Sequence, residues 1–353
     1  MKKLIIFLFL FNFTNLYSSD LKFEKIFDDF NKPWSLSFID KENVIITEKT
    51  GRLLTLNLND RKAHEIKHNL SIISLGQGGL LDVLYEKRQV YISYSENRGN
   101  WETSTSVAKG NFNKKNIKFK NIFRAEPPID SGYHFGSRLV IKENHLFITA
   151  GERGQGMIAQ DFTKHPGSII RIKVDGSIPK DNPKFKSKKD WLPEIFQIGV
   201  RNPQGMALSP FDNKIYLTNH GAKGGDWFGT ANFAENYGWK ILGWGGTNYS
   251  GTKIGPKWRS GFTRAIKYWV PSIAVSAMTI YKGTTFKEWN GNALIASLKD
   301  QSLRKIKFKD NKFLNEEIIF KGNIGRIRDI KIQKETGDLY MLSDNGSLWR
   351  MYK

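Results

Sequence analysis

No cysteine occurs among the 353 residues. That absence excludes a disulfide framework, a thiolate metal site, a cysteine nucleophile and a lipid-modified cysteine anchor. Long apolar runs are missing beyond the first residues, so no transmembrane helix is expected in the mature chain. The opening MKKLIIFLFLFNFTNLYSS joins two lysines to an apolar run too short to span a bilayer, then to small polar residues. This is the anatomy of a secretory signal. Residues 1–19 are therefore set apart, and residues 20–353 are read as one soluble domain, periplasmic or secreted, with no stable membrane insertion. Acidic residues are scarce as well. Removing Lys2 and Lys3 leaves 53 basic residues against 34 acidic ones. Such an excess can serve nucleic acid, but the lysines are scattered and no recognition motif accompanies them. Nucleic acid is set aside as a partner, and an attraction for small anions stays open.

Long amphipathic helices are also lacking, and a repeated strand pattern stands in their place. An apolar strand, a polar turn, a second strand rich in β-branched and aromatic residues, a small residue and a loop recur six times. The second strands read VIIT from Val44, VYIS from Val90, LFIT from Leu146, IYLT from Ile215, ALIA from Ala293 and LYML from Leu339. Their starts are 46, 56, 69, 78 and 46 residues apart. Each interval holds about four short strands plus insertions, the content of a propeller blade. Further strands follow in several copies, among them GRLLTLNL at Gly51, SIIRIKV at Ser168, SLRKIKF at Ser302 and GSLWRMY at Gly346. The reading is an all-β, six-bladed propeller of four-stranded antiparallel blades, with FEKIFDDF near residue 23 completing the last blade. A two-sheet sandwich is the alternative.

Antiparallel neighbours reverse direction, so the start of each first strand and the end of each second strand share a rim. Gln77, His134, Arg201 and Arg326 precede their second strands by 13, 12, 14 and 13 residues. Glu152, His220 and Lys299 follow second-strand starts by 6, 5 and 6 residues. All seven are thereby assigned to one mouth of the ring, a candidate site. Arg201, Arg326, Arg328 and Lys299 would make that mouth cationic and suited to carboxylates or phosphates. Within GRIRD the bland alternative pairs Arg328 with Asp329. Within RNPQG, Asn202 can serve a proline turn and the site together. In GYHFGSR, His134 stands between Tyr133 and Phe135 and is bracketed by glycines. A neutral imidazole near its natural pKa can accept a proton, the aromatics limit its solvation, and the glycines let backbone or ligand approach closely.

These residues resemble the soluble quinoprotein sugar dehydrogenases, six-bladed propellers that use pyrroloquinoline quinone and calcium to oxidise aldoses. The resemblance is carried in order by QGGLLDV at Gln77, HFGSRL at His134, EIFQIGVRNPQGMALSP at Glu194, HGAKGGD at His220, ENYGW at Glu235, LIASLK at Leu294 and GRIRDI at Gly325. It implies that His134 takes the sugar hydroxyl proton while hydride leaves for the quinone, which later passes electrons to an acceptor not identified from sequence. It further implies cofactor contacts at Gln77, Glu152, Arg201, Asn202, His220, Lys299, Arg326 and Arg328, and calcium held by the carbonyls of Gly221 and Ala222. Three positions depart from the family pattern. Glu152 stands where aspartate is usual, Ala222 replaces a proline, and Trp227 replaces a glutamate, which removes a carboxylate and is expected to reshape the substrate mouth. Two rivals differ in class: a calcium-dependent lactonase-type propeller, which needs clustered carboxylate and amide ligands, and a non-catalytic propeller binding glycan or protein.

Overall fold

The computed structural model describes residues 21–184 and 191–353. The signal segment read in residues 1–19 lies outside the described residues. Six antiparallel sheets are arranged as a closed ring, since each innermost strand packs against the innermost strand of the next sheet and the sixth meets the first. The innermost strands are Pro33–Phe38, Leu80–Glu86, Gly136–Lys142, Pro203–Leu208, Val275–Ile280 and Ile327–Ile332. The second strands are those read from the sequence pattern: Asn43–Glu48, Gln89–Asn97, His145–Ala150, Ile215–Asn219, Ala293–Ser297 and Leu339–Ser343.

Ring closure uses the strand expected near residue 23. Lys22–Phe27 pairs with Ser347–Tyr352 as the outer strand of the sixth blade, with Phe23 opposite Met351. One sheet exceeds the expected four strands: Asn116–Ile117 adds a two-residue parallel pairing at Lys67 and His68 in the first blade. Among the described residues the helical segments are two short 3-10 turns, Gly156–Gln160 and Lys287–Trp289. No helix there is long and apolar enough to cross a membrane.

Second strands are buried almost throughout, because each blade is covered on both faces by its neighbours. This explains their near-continuous apolar runs. Among the described residues the core is accordingly divided into six large apolar clusters, one between each pair of adjacent blades, with two small ones, Trp34–Leu81–Phe135 and Ala159–Ala222–Trp239, beside them. Leu36, Val44 and Ile46 meet Tyr340, Leu342 and Leu348 across the closing seam, and Ile148 and Ile170 meet Val107 and Phe123 between the second and third blades.

A further regularity is absent from the hydrophobic pattern. Every innermost strand carries one residue more than its partner near the mouth, as register shifts at Pro33/Ser35, Leu80/Val83, Gly136/Leu139, Pro203/Gly205, Val275/Met278 and Ile327/Asp329. Such bulges bend the strand and re-aim a side chain. Trp34, Leu81, Gln204 and Arg328, which fall within these shifts, line the hollow at the mouth.

Just below them the axis is closed by a buried polar bolt. The guanidinium of Arg138 donates to Asp82 at 3.2 Å, to Asp329 at 2.9 Å, and to the carbonyls of Gln204 and Arg328 at 2.7 and 3.0 Å. The Ser35 hydroxyl lies between the two carboxylates, 2.5 Å from Asp82 and 3.0 Å from Asp329, with one hydrogen to give, and Arg138 lies over the Trp34 ring at 4.1 Å. Five of the six blades meet at this one side chain.

Candidate active site

His134 sits in the loop that enters the third blade, and its geometry is set by three neighbours. Its peptide N–H donates to Gln77 Oε1 at 2.9 Å. Its carbonyl occupies space that a Cβ on Gly151 would need, at 2.0 Å, so that position of the adjoining strand end requires glycine. Its Nδ1 lies 2.6 Å from Glu152 Oε1. An ionised carboxylate only accepts, so Nδ1 carries the proton and Nε2 keeps its lone pair. Glu152 is anchored in turn by the Gly156 N–H at 2.6 Å, and Arg201 stands 4.0 Å from it.

Burial, assisted by the Arg201 and Arg153 charges, lowers the His134 pKa below 6.5 against the pull of Glu152. Burial raises Glu152, but His134, Gly156 and Arg201 together hold its carboxyl below the usual range. The pair is therefore a neutral imidazole oriented by a carboxylate, the arrangement of a general base.

Backbone and amide groups knit the remaining residues to this pair. Gln77 N donates to the Gly132 carbonyl at 2.7 Å, and Asn202 Nδ2 reaches Gln77 Oε1 at 3.4 Å. Asn202 Oδ1 accepts from Gly136 N at 3.0 Å. Asn219 Oδ1 takes the peptide N–H groups of both Arg201 and Asn202, at 3.0 and 2.8 Å.

Beside them opens a hollow of about 200 Å³ lined by Gln77, Asn202, His220, Arg326, Arg328 and Lys49, with an apolar floor of Trp34, Leu81 and Phe135. His220 is pushed down to about 4 by burial, with Arg201 and Arg328 adding to the effect and Asp226 opposing it. Its Nε2 is buried without a hydrogen-bond partner. A buried polar atom left unpaired is costly, so this nitrogen is free to meet a ligand group placed in the hollow. A larger hollow of about 990 Å³ lies at the opposite end of the axis, walled mainly by strand residues such as Val83, Val140, Met206 and Ile330.

The sequence model for glucose/sorbosone dehydrogenases matches residues 30–350. The chain belongs to the glucose/sorbosone dehydrogenase family. It is 34% identical over 338 residues to aldose sugar dehydrogenase YliI of Escherichia coli (strain K12), spanning 92% of this chain and 90% of that protein. It is 24% identical over 425 residues to quinoprotein glucose dehydrogenase B of Acinetobacter calcoaceticus, spanning 94% and 87%. The crystal structure of the soluble aldose sugar dehydrogenase from Escherichia coli in the apo form superposes with a TM-score of 0.88 at 32% identity, over 94% of this chain and 99% of that one.

In this family member Gln77, His134, Arg201 and Arg326 precede innermost strands, and Glu152, His220 and Lys299 follow second strands, as strand direction requires. Lys299 is exposed and does not line the hollow, although the Arg326 guanidinium reaches the neighbouring Leu298 carbonyl at 3.4 Å.

The bland alternative for GRIRD does not form: Arg328 does not pair with Asp329, whose carboxyl belongs to the axial bolt. It pairs with Asp344 at 2.8 and 2.9 Å, and Arg326 shares that carboxylate at 3.1 Å. Tyr133 is itself 61% exposed, yet its ring stands 5.9 Å from the His134 ring, whereas Phe135 is buried with Trp34 and Leu81. Trp227 does not reshape the mouth: it is buried in the fourth blade, stacked on Tyr237 with ring centroids 3.9 Å apart. Glu152, one methylene longer than the usual aspartate, still reaches His134. The bracketing glycines admit close backbone approach, as expected: a Cβ on Gly136 would meet Thr149 O at 2.8 Å.

Asp344, Asn219, Arg153 and Lys49 were missed. Asp344 and Lys49 each follow a second-strand start by five residues, so the same positional rule finds both when applied to the sixth and first blades.

Proposed function

We propose that the chain oxidises an aldose at C1 to the lactone, with His134 as the base and pyrroloquinoline quinone in the cation-lined hollow. The observation that carries this reading is the juxtaposition of an oriented, neutral imidazole with a hollow whose walls present Arg326, Arg328 and an unpartnered His220 Nε2. The donor set fits a planar polycarboxylate: guanidinium groups for its anionic edge, amides of Gln77 and Asn202 for its oxygens, and Trp34 and Phe135 for its ring system.

When bound, the quinone supplies a two-electron acceptor for the hydride of the sugar C1–H. His134 Nε2 removes the C1 hydroxyl proton, and Glu152 keeps the ring in the required tautomer and stabilises the imidazolium that forms. Arg201 stays close to Glu152 and over Trp239, at 5.3 Å from its ring, outside the lining of the hollow, and its cofactor contact is assigned on the family resemblance. Lys299 is assigned a cofactor contact on the family resemblance.

Calcium belongs to the same reading. Among the described residues no three histidine or acidic side chains come together as a metal cluster. A hard cation here would therefore draw on backbone oxygen, as the carbonyls of Gly221 and Ala222 would provide. Their loop turns tightly, since a Cβ on Gly221 would meet the Gly224 carbonyl at 2.1 Å. The lack of such a carboxylate cluster also weighs against a lactonase-type site, and the oriented imidazole against a purely binding propeller. The relative named a quinoprotein supports the cofactor class. The protein is placed in the periplasm or outside the cell, where a separate acceptor takes the electrons.

The test is reconstitution. Purified protein given calcium and pyrroloquinoline quinone is expected to reduce an artificial dye with an aldose. Bound quinone with no dye reduction across a broad aldose panel would overturn the catalytic reading in favour of a binding module.

A further inference from the structure

Lys49 directly follows the second strand of the first blade and lines the same hollow as Arg326 and Arg328. Its chain is fixed on both sides: Lys49 N donates to Lys32 O at 3.0 Å, and Leu80 N donates to Lys49 O at 3.3 Å. Gly79 must lack a Cβ because the Lys49 carbonyl would lie 2.2 Å from it. The ammonium donates to the Gly76 carbonyl at 2.7 Å, directly before Gln77. Among the described residues it has no carboxylate within ion-pair distance, while Arg326 and Arg328 share Asp344. Around one hollow there are thus three cations and one carboxylate.

The ammonium is half-buried, and burial together with Arg328 and Lys32 lowers its pKa, against Asp344. A cation held in that setting by one neutral carbonyl gains strongly from an anion placed in the hollow.

We infer that Lys49 is a further anion contact of this site, meeting a carboxylate of the bound polycarboxylate cofactor from the first blade while Arg326 and Arg328 grip it from the sixth. The inference rests on the quinone reading above. It assigns to Lys49 a share of cofactor affinity and no part in proton transfer. A merely structural lysine, clasping Gly76 to steady the Gln77 loop, is the competing role.

The test measures equilibrium binding of pyrroloquinoline quinone to the apoprotein through quenching of tryptophan fluorescence, at several salt concentrations. Unliganded melting temperatures are recorded for each variant. Lys49→Met is expected to weaken binding by roughly tenfold to a hundredfold, the span for one charge-assisted contact. It should also flatten the salt dependence, because one screened charge is gone. Lys49→Arg should restore most of both, and unliganded melting should be little changed in either variant.

Unchanged affinity and salt slope in Lys49→Met, with wild type binding, would overturn the assignment and leave the quinone reading standing. Equal weakening in Lys49→Met and Lys49→Arg together with lowered melting would overturn it in favour of the structural clasp. If Lys49→Met does not fold, the same comparison is made with Lys49→Gln. Failure of wild type to bind the quinone at all would remove both readings together.

Discussion

At the level of single residues, the His134–Glu152 pair separates chemistry from binding. His134→Asn should lower turnover of the reconstituted enzyme by about a hundredfold to ten-thousandfold, the span of a positioned base, with quinone affinity nearly unchanged. A variant that loses cofactor but turns over normally when saturated would make His134 a gripping residue instead. The pH profile carries the sign of the burial effect. Because the His134 pKa lies below 6.5, the active neutral form persists at neutral pH, and kcat/KM should fall only on acidification, with an apparent pKa under that value. Glu152 raises the imidazole pKa, so Glu152→Gln should move the acid limb to still lower pH while reducing the plateau. A limb that moves upward would contradict the assigned coupling. Arg153 is the neighbouring support: its buried guanidinium binds the carbonyls of Tyr133, Thr103 and Ser131 and stacks on Phe135 at 3.7 Å, pinning the loop from which the imidazole projects.

At the level of strands and loops, the site depends on close backbone approach where a second strand ends. Gly151→Ala would drive a methyl group into the His134 carbonyl. It should destabilise the fold by about 1–3 kcal/mol, as overpacking does, and depress turnover more than cofactor affinity; a melting curve and turnover both unchanged would show that the loop can yield. This element also shows what was legible in the sequence. Strand direction alone assigned Gln77, His134, Arg201, Glu152, His220, Lys299 and Arg326 to one rim, because strand order fixes which ends meet. The partner of Arg328 was not legible. Asp329 adjoins it in sequence, but the bulge at Ile327/Asp329 separates the two side chains, sending Arg328 to the hollow and Asp329 to the axis. Trp227 misled for a related reason, since a side chain in a strand goes to one face or the other, and here that face is the blade core. A two-residue pairing such as Asn116–Ile117 leaves no periodic trace.

Across the whole molecule, the Arg138 bolt joins blades far apart in sequence and is fully desolvated. Arg138→Met leaves Asp82 and Asp329 buried without their cation and should cost about 3–5 kcal/mol, read as a shifted urea midpoint. Burial opposes ionisation of Asp329, but Arg138 and Lys331 hold its pKa below the ordinary 3.8. The stabilisation from that carboxylate is complete above 3.8 and lost as pH falls through the folded value, so the gap between variant and wild type should narrow in acid. A gap constant down to pH 2 would mean that the carboxylates are not what the arginine serves. The bolt also lies between the two hollows, with Trp34, Leu81, Gln204 and Arg328 on one side and Ser37, Val83, Met206 and Ile330 on the other. The propeller axis is therefore a blind alley. On the proposed chemistry, sugar must arrive and lactone depart through the same doorway that the oxidant uses to collect electrons. Each visitor then obstructs the other: raising either sugar or dye far above saturation should slow turnover, and the excess of one should be relieved by more of the other.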